Sequence, residues 1–127
     1  WLQAAALPRR RGRKLRALAT VTAVSFTAPA KAGYAKFPNP ASRYAMTGVF
    51  VAKDKEGVRV AVTGAGEGGV FRHKGLEAAF DKKFDASSVE GVKIESKGLM
   101  SDMHGSSEYR AALIRAMAKR AVAAAAA

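Results

Sequence analysis

The sequence holds no cysteine, one tryptophan, two histidines and four prolines among its 127 residues. Without cysteine there is no disulfide framework, no thiolate metal site and no cysteine nucleophile. The lack is compatible with a reducing compartment, and a cytoplasmic location is expected. His73 and His104, neither with a companion four residues on, are too few for a histidine metal site. No apolar run is long and unbroken enough to span a bilayer. Acidic residues are scarce as well: 10 against 22 Lys and Arg, a net charge of +12. Much of that excess is local. Arg9, Arg10, Arg11, Arg13, Lys14 and Arg16 come with no acid among them. The rest of the chain is only moderately basic, as in a subunit that docks on an acidic partner.

What is present suits one folded domain. Apolar residues make up 49% of the chain, enough for a single hydrophobic core. The chain opens on Trp1 rather than Met and reads as processed or cut from something longer. Residues 1–18 form a basic N-terminal arm, expected to be irregular or partly helical, and the domain is expected over residues 19–127. Residues 9–32 imitate a secretory signal, with a basic start, an apolar stretch and small residues after it. Val21, Thr22, Val24, Phe26 and Thr27 are β-branched or aromatic and favour a buried strand instead.

Gly33 to Ser42, punctuated by Pro38 and Pro40, reads as a loop. Arg43 to Lys53 is apolar on both faces and predicts a central strand of a covered sheet. Asp54 to Gly57 is a turn. Val58, Val60 and Val62 then alternate with Arg59, so the pair predicts an antiparallel hairpin. Leu76, Ala79, Phe80 and Phe84 recur at helical spacing, which predicts a helix over about Lys74 to Lys83. Val92 to Ile94 reads as a short strand. A C-terminal helix is expected with Glu108 in its first turn and Lys119 and Arg120 near its end, an order that suits the helix dipole. Tyr109, Leu113 and Met117 share one face with Ile114 and Ala121. The alanines from Ala123 onward have nothing evident to pack on and are expected to fray. The fold class is α+β: an antiparallel sheet of three or more strands covered by helices.

Gly64-Ala65-Gly66-Glu67-Gly68-Gly69 satisfies the G-x-G-x-x-G pattern that lets a backbone approach a pyrophosphate at a helix N-terminus. The strand before it is the second arm of a hairpin, and Val70-Phe71-Arg72 after it favours a strand. A turn between strands is the better reading. Asp102-Met103-His104 places a carboxylate and an imidazole near a helix start, and a cap beside a solvent-facing His accounts for it. Ser101, Ser106 and Ser107 lack a nucleophile-elbow pattern. Residue chemistry alone gives no catalytic group and no metal site.

Four segments in order carry a resemblance: YAKFPNPASRYA, GVRVAVTGAGEGGVFR, EAAFDKKFDASSVEG and SDMHGSSEYRAALIRAMAKRA. With the preceding VTAVSFTAP they resemble the C-terminal domain of the FAD-binding (medium) subunit of carbon monoxide dehydrogenase-type molybdenum hydroxylases, the xanthine dehydrogenase family, over about Ala19 to Ala123. The resemblance implies an antiparallel sheet covered on one face by helices. It implies FAD held mainly by N-terminal lobes that this chain lacks. It also implies an iron–sulfur small subunit feeding electrons to the flavin and a molybdopterin large subunit that oxidises substrate. By the same resemblance the loop from Lys36 to Arg43 approaches the flavin edge, with Lys36, Asn39, Ser42 and Arg43 as cofactor-binding candidates. Many relatives carry an Asp a few positions later, whereas Ala45 and Met46 stand here. Two alternatives of another class remain at this stage. One is a small basic RNA- or anion-binding protein using the arm and the neighbours Tyr44/Arg43 and Phe71/Arg72. The other is a nucleotide-binding domain using Gly64 to Gly69.

Overall fold

Gly33, Ala35 and Phe37 decide how the polypeptide begins its sheet. In the computed structural model, which describes residue 23 and residues 25–127, the first strand is β1, Lys31–Pro38. This corrects the expected loop from Gly33 to Ser42. The inward residues of β1 are small or far apart in size, so they give no hydrophobic alternation, and Pro38 and Pro40 mark the strand's end rather than its absence. The strand expected from Val21 to Thr27 is not found where it is described: residues 25–29 have no regular structure and Phe26 is 69% exposed. Pro29 has no N–H to give to a ladder. Val21, Thr22, Val24 and the basic arm lie outside the described residues.

Strand β2, Ala45–Asp54, and strand β3, Gly57–Thr63, form the expected hairpin, and Gly57 takes φ +122 in the connecting turn. The start of β2 falls two residues after the expected Arg43, because Arg43 itself adopts φ +60 and breaks the extended run. A two-residue strand β4, Phe71–Arg72, completes a four-stranded antiparallel sheet in the order β1-β2-β3-β4. Helix α1 is Lys74–Lys82, a 3-10 turn covers Ala86–Val89, and helix α2 is Ser107–Ala126. The glycine-rich run Gly64 to Gly69 is a loop between β3 and β4, with no helix behind it. Val92 to Ile94 is not a strand. Its neighbourhood is held by Arg115 of α2, whose guanidinium donates to the carbonyls of Val89, Glu90 and Val92 at 3.3, 3.2 and 3.0 Å.

One face of the sheet carries α2. The register aligns Ala35 with Val49 and Val62, and Gly33 with Val51 and Val60. These residues meet Ile114, Met117, Ala118, Ala121 and Val122, all buried. Fully burying a Val, Met or Ile side chain contributes about 1.5–3 kcal/mol each. The alanine tail does not fray as expected: helix α2 runs to Ala126, and Ala121, Val122 and Ala125 are buried. Gly33 is the reason, since its bare backbone lets the last turns of α2 lie directly on β1. With the helix this long, Lys119 and Arg120 sit before its final turn, which holds no basic residue. The central-strand reading of β2 holds, but among the described residues no helix covers the face that bears Tyr34 and Phe50.

Strand β3 would have an open edge beyond the short β4, and α1 closes it with side chains. Glu77 Oε1 accepts from the Val60 amide at 3.1 Å, and Asp81 Oδ1 accepts from the Val58 amide at 2.7 Å. Glu77 is 6% exposed and is also bound by Arg72, through Nε at 2.6 Å and NH2 at 2.8 Å, and by Lys74 at 3.1 Å. Burial pushes its carboxyl up, but the Arg72 guanidinium, the Val60 amide and Lys74 together hold it below the usual glutamate value. A carboxyl lowered on folding contributes stability above its unfolded pKa and loses it as pH falls through the folded one. Glu77→Gln is therefore expected to cost about 2 kcal/mol at neutral pH. The gap from the parent protein, read from urea unfolding at a series of pH values, should narrow as the solution is acidified. A gap independent of pH would contradict this account.

Candidate functional site

The sequence singled out Lys36, Asn39, Ser42 and Arg43; the last three lie in the turn between β1 and β2, and Lys36, on β1 itself, reaches that turn with its side chain. Asn39 organises it: its Oδ1 accepts from the amides of Ala41 and Ser42 at 2.9 and 3.2 Å. Its backbone N–H donates to Tyr44 O at 2.7 Å, and its carbonyl accepts from Arg43 N at 2.9 Å. Ser42 Oγ accepts from Tyr44 N at 3.4 Å, and Lys36 Nζ donates to Arg43 O at 3.1 Å. The polar groups of Asn39, Ser42 and Lys36 are thus engaged with the loop's own backbone. Arg43 and Tyr44 are among the exposed residues of the turn, Tyr44 at 80%.

Arg110, which sequence reasoning passed over, fixes this end of the sheet. It is 2% exposed on α2. Its NH1 donates to Met46 O at 2.7 Å and Gly64 O at 3.1 Å, and its NH2 binds Asp102 Oδ2 at 2.8 Å. One guanidinium therefore joins the start of β2, the end of β3 and the loop before α2. The His104 amide, and then Arg110, hold the Asp102 carboxyl below its usual range. The helix cap is Ser106, whose Oγ accepts from Tyr109 N at 3.2 Å. Asp102 thus serves Arg110 and a local turn rather than the cap, while His104 is exposed as expected. The signal was present in the spacing: Arg110 lies three, four and seven residues before Leu113, Ile114 and Met117, on the buried stripe.

The glycine-rich loop lines a groove of about 540 Å³. Its floor includes Phe71, Leu99 and Ile114, and Lys93, Glu95 and Lys97 stand along it. Two of the loop's amides are committed within the fold: Glu67 N donates to Gly98 O, and Gly69 N to Gly66 O, both at 3.1 Å. His73 caps α1 by accepting from Leu76 N at 3.2 Å through Nδ1. Burial pushes its imidazole down from the ordinary value, and Nδ1, as the acceptor, carries no proton in this cap. This arrangement does not make a pyrophosphate cradle. Phe71, considered above as a stacking platform for RNA, is half-buried against the core, and Arg72 is bound to Glu77. Among the described residues no group of His, Asp and Glu could hold a metal ion, and no helix is long and apolar enough to cross a membrane.

No family model matches the sequence, and no curated protein matches it. Among solved structures, the chain is similar to carbon monoxide dehydrogenase from Hydrogenophaga pseudoflava, in a form that lacks the Mo-pyranopterin moiety of the molybdenum cofactor. The identity is 25% and the TM-score 0.54. The match covers 76% of this chain but only 37% of that one, so what the two share is an α+β unit of a larger oxidoreductase chain.

Proposed function

We propose that this chain is the C-terminal domain of the flavoprotein subunit of a carbon monoxide dehydrogenase-type molybdenum hydroxylase. The observation that carries this reading is the likeness to carbon monoxide dehydrogenase over 76% of the chain. The order of the four resembling segments supports it. In this reading residues 19–127 complete the medium subunit, and the basic arm of residues 1–18 stands apart from the domain. The subunit's FAD accepts electrons from the iron–sulfur clusters of a small subunit, and a molybdopterin-bearing large subunit oxidises the substrate. In this reading the isolated chain is not expected to catalyse.

Its residues do not fit FAD unaided. The pyrophosphate of a dinucleotide needs several free backbone N–H groups, commonly at a helix N-terminus, and the flavin ring needs an apolar cleft. The Gly64 to Gly69 loop spends amides on Gly66 and Gly98 and leads into β4. The turn after β1 offers an exposed rim that includes Arg43 and Tyr44, and a few polar contacts do not offset the entropy lost on binding. The purified chain is therefore expected to leave the fluorescence of micromolar FAD unquenched. Co-expression with flavin-holding lobes of a medium subunit should yield a complex that retains FAD. Stoichiometric quenching by the chain alone would make the glycine-rich loop a nucleotide site, and failure of the co-expressed chain to associate with the flavin-holding lobes would refute the proposed role.

A further inference from the structure

Gly68 is a glycine that neither the backbone nor the packing requires. Its φ is not positive, unlike that of Gly69 and Gly98 at +92 and +79, and no atom stands within 4 Å of where its Cβ would be. It lines the groove of about 540 Å³, a volume in the range of sites that hold small organic ligands. A side chain here would occupy open space at the groove's edge. Along the groove, apolar surface is left in contact with water: Val70 is 68% exposed, and Phe71 and Ile94 are half-buried. The charged groups that line it are few and net positive. Lys93 is met by Glu95 at 3.5 Å. Lys97 is exposed and has no ion pair among the described residues. Glu67 belongs to the same loop but does not line the groove. His73 also lines it, and with Nδ1 engaged by the Leu76 amide its Nε2 is left to meet a ligand. Gly75, in the first turn of α1, is a further lining residue, and a helix start favours negative charge.

From this we infer that the groove is a binding site for a small monocarboxylic acid with an apolar body. The ring or chain of the acid covers Val70, Phe71 and Ile94, which removes apolar surface from water. Its carboxylate meets Lys97, whose charge no side chain of the groove offsets. A single carboxylate is satisfied by one or two donors, so the groove suits it although the same loop makes no pyrophosphate cradle. Gly68 keeps the opening clear. The site shares no residue with the turn after β1, and it does not depend on the flavoprotein reading.

The test titrates phenylacetate into the full chain labelled with nitrogen-15 and follows the backbone amide shifts. Saturable shifts are expected at Gly68, Val70 and Lys97. Phenylacetamide, which lacks the charge, and acetate, which lacks the ring, should each bind about tenfold more weakly or worse. Gly68→Leu fills the opening and Lys97→Met removes the charge, and each should weaken phenylacetate by a similar factor. Both positions are exposed, so unchanged melting curves will show that the fold is intact, and Lys97→Met tests the charge independently of Gly68. Arg43→Gln, in the turn after β1, should leave the affinity as it is. No saturation in the parent chain, equal affinity for phenylacetate and phenylacetamide, or binding indifferent to Gly68→Leu and Lys97→Met would each overturn the proposal.

Discussion

Met117→Asp is expected to destabilise the domain by about 4 kcal/mol or more, a large share of the whole stability of a domain this size. Met117 is 2% exposed and sits in the core cluster between α2 and the sheet. It is packed in that cluster among apolar side chains such as Ile114, Ala118 and Ala121, which offer an aspartate neither a cation nor a donor. It would either remain charged at a high desolvation cost or take up a proton and still lose the methionine's packing. The cooperative unfolding transition in urea should move to much lower denaturant or vanish. A transition unchanged from the parent protein would mean that α2 does not rest on the sheet through this face.

Gly33→Ala is the second change with a large expected effect, although it adds a single methyl group. A Cβ at Gly33 would lie 2.1 Å from Ala121 O and 2.7 Å from Ala125 N. Both are backbone atoms of α2, so no side-chain rotation relieves the clash and the helix must move away from β1. Overpacking of this kind costs about 3 kcal/mol. The damage should be concentrated in the last turns of α2, where Ala121 and Ala125 are buried. Thermal unfolding of Gly33→Ala beside Ala32→Gly, an exposed neighbour on the same strand, separates the clash from a mere change of strand propensity. Equal melting temperatures for the two variants would refute the close approach.

The same contact explains what the sequence hid. The hairpin of β2 and β3 was legible because Val58, Val60 and Val62 alternate with Arg59, and α1 and α2 because their apolar residues repeat at helical spacing. Strand β1 was not, because a strand packed against an alanine-lined helix face needs small inward residues, and Gly33 and Ala35 carry no hydrophobic signal. The alanines after Val122 were misread for the complementary reason. Ala125 contributes little surface, yet it is buried because its partner is a glycine. Val92 to Ile94 looked like a strand by composition, but Arg115 satisfies the carbonyls there from the side. The polar anchors Arg110, Glu77 and Asp81 join segments far apart in sequence, and only their places on the buried or edge-facing stripes of their helices hinted at them. Of the expected loop from Lys36 to Arg43, only the part after Pro38 is a turn, and Lys36 belongs to β1. The sequence could not tell that Asn39, Ser42 and Lys36 would turn inward to the turn's own backbone while Tyr44 faced out.

The edge of β3 has a consequence for how the molecule breathes. In an ordinary ladder, an amide is released when the neighbouring strand peels away. Here the Val58 and Val60 amides are held by carboxylates on α1. Their exchange with solvent deuterium is therefore governed by the opening of a nine-residue helix, whereas the amides of β2 that point to β1 answer to the sheet itself. Two neighbouring strands of one sheet thus belong to different units of local unfolding, divided along the line where side chains take over from backbone.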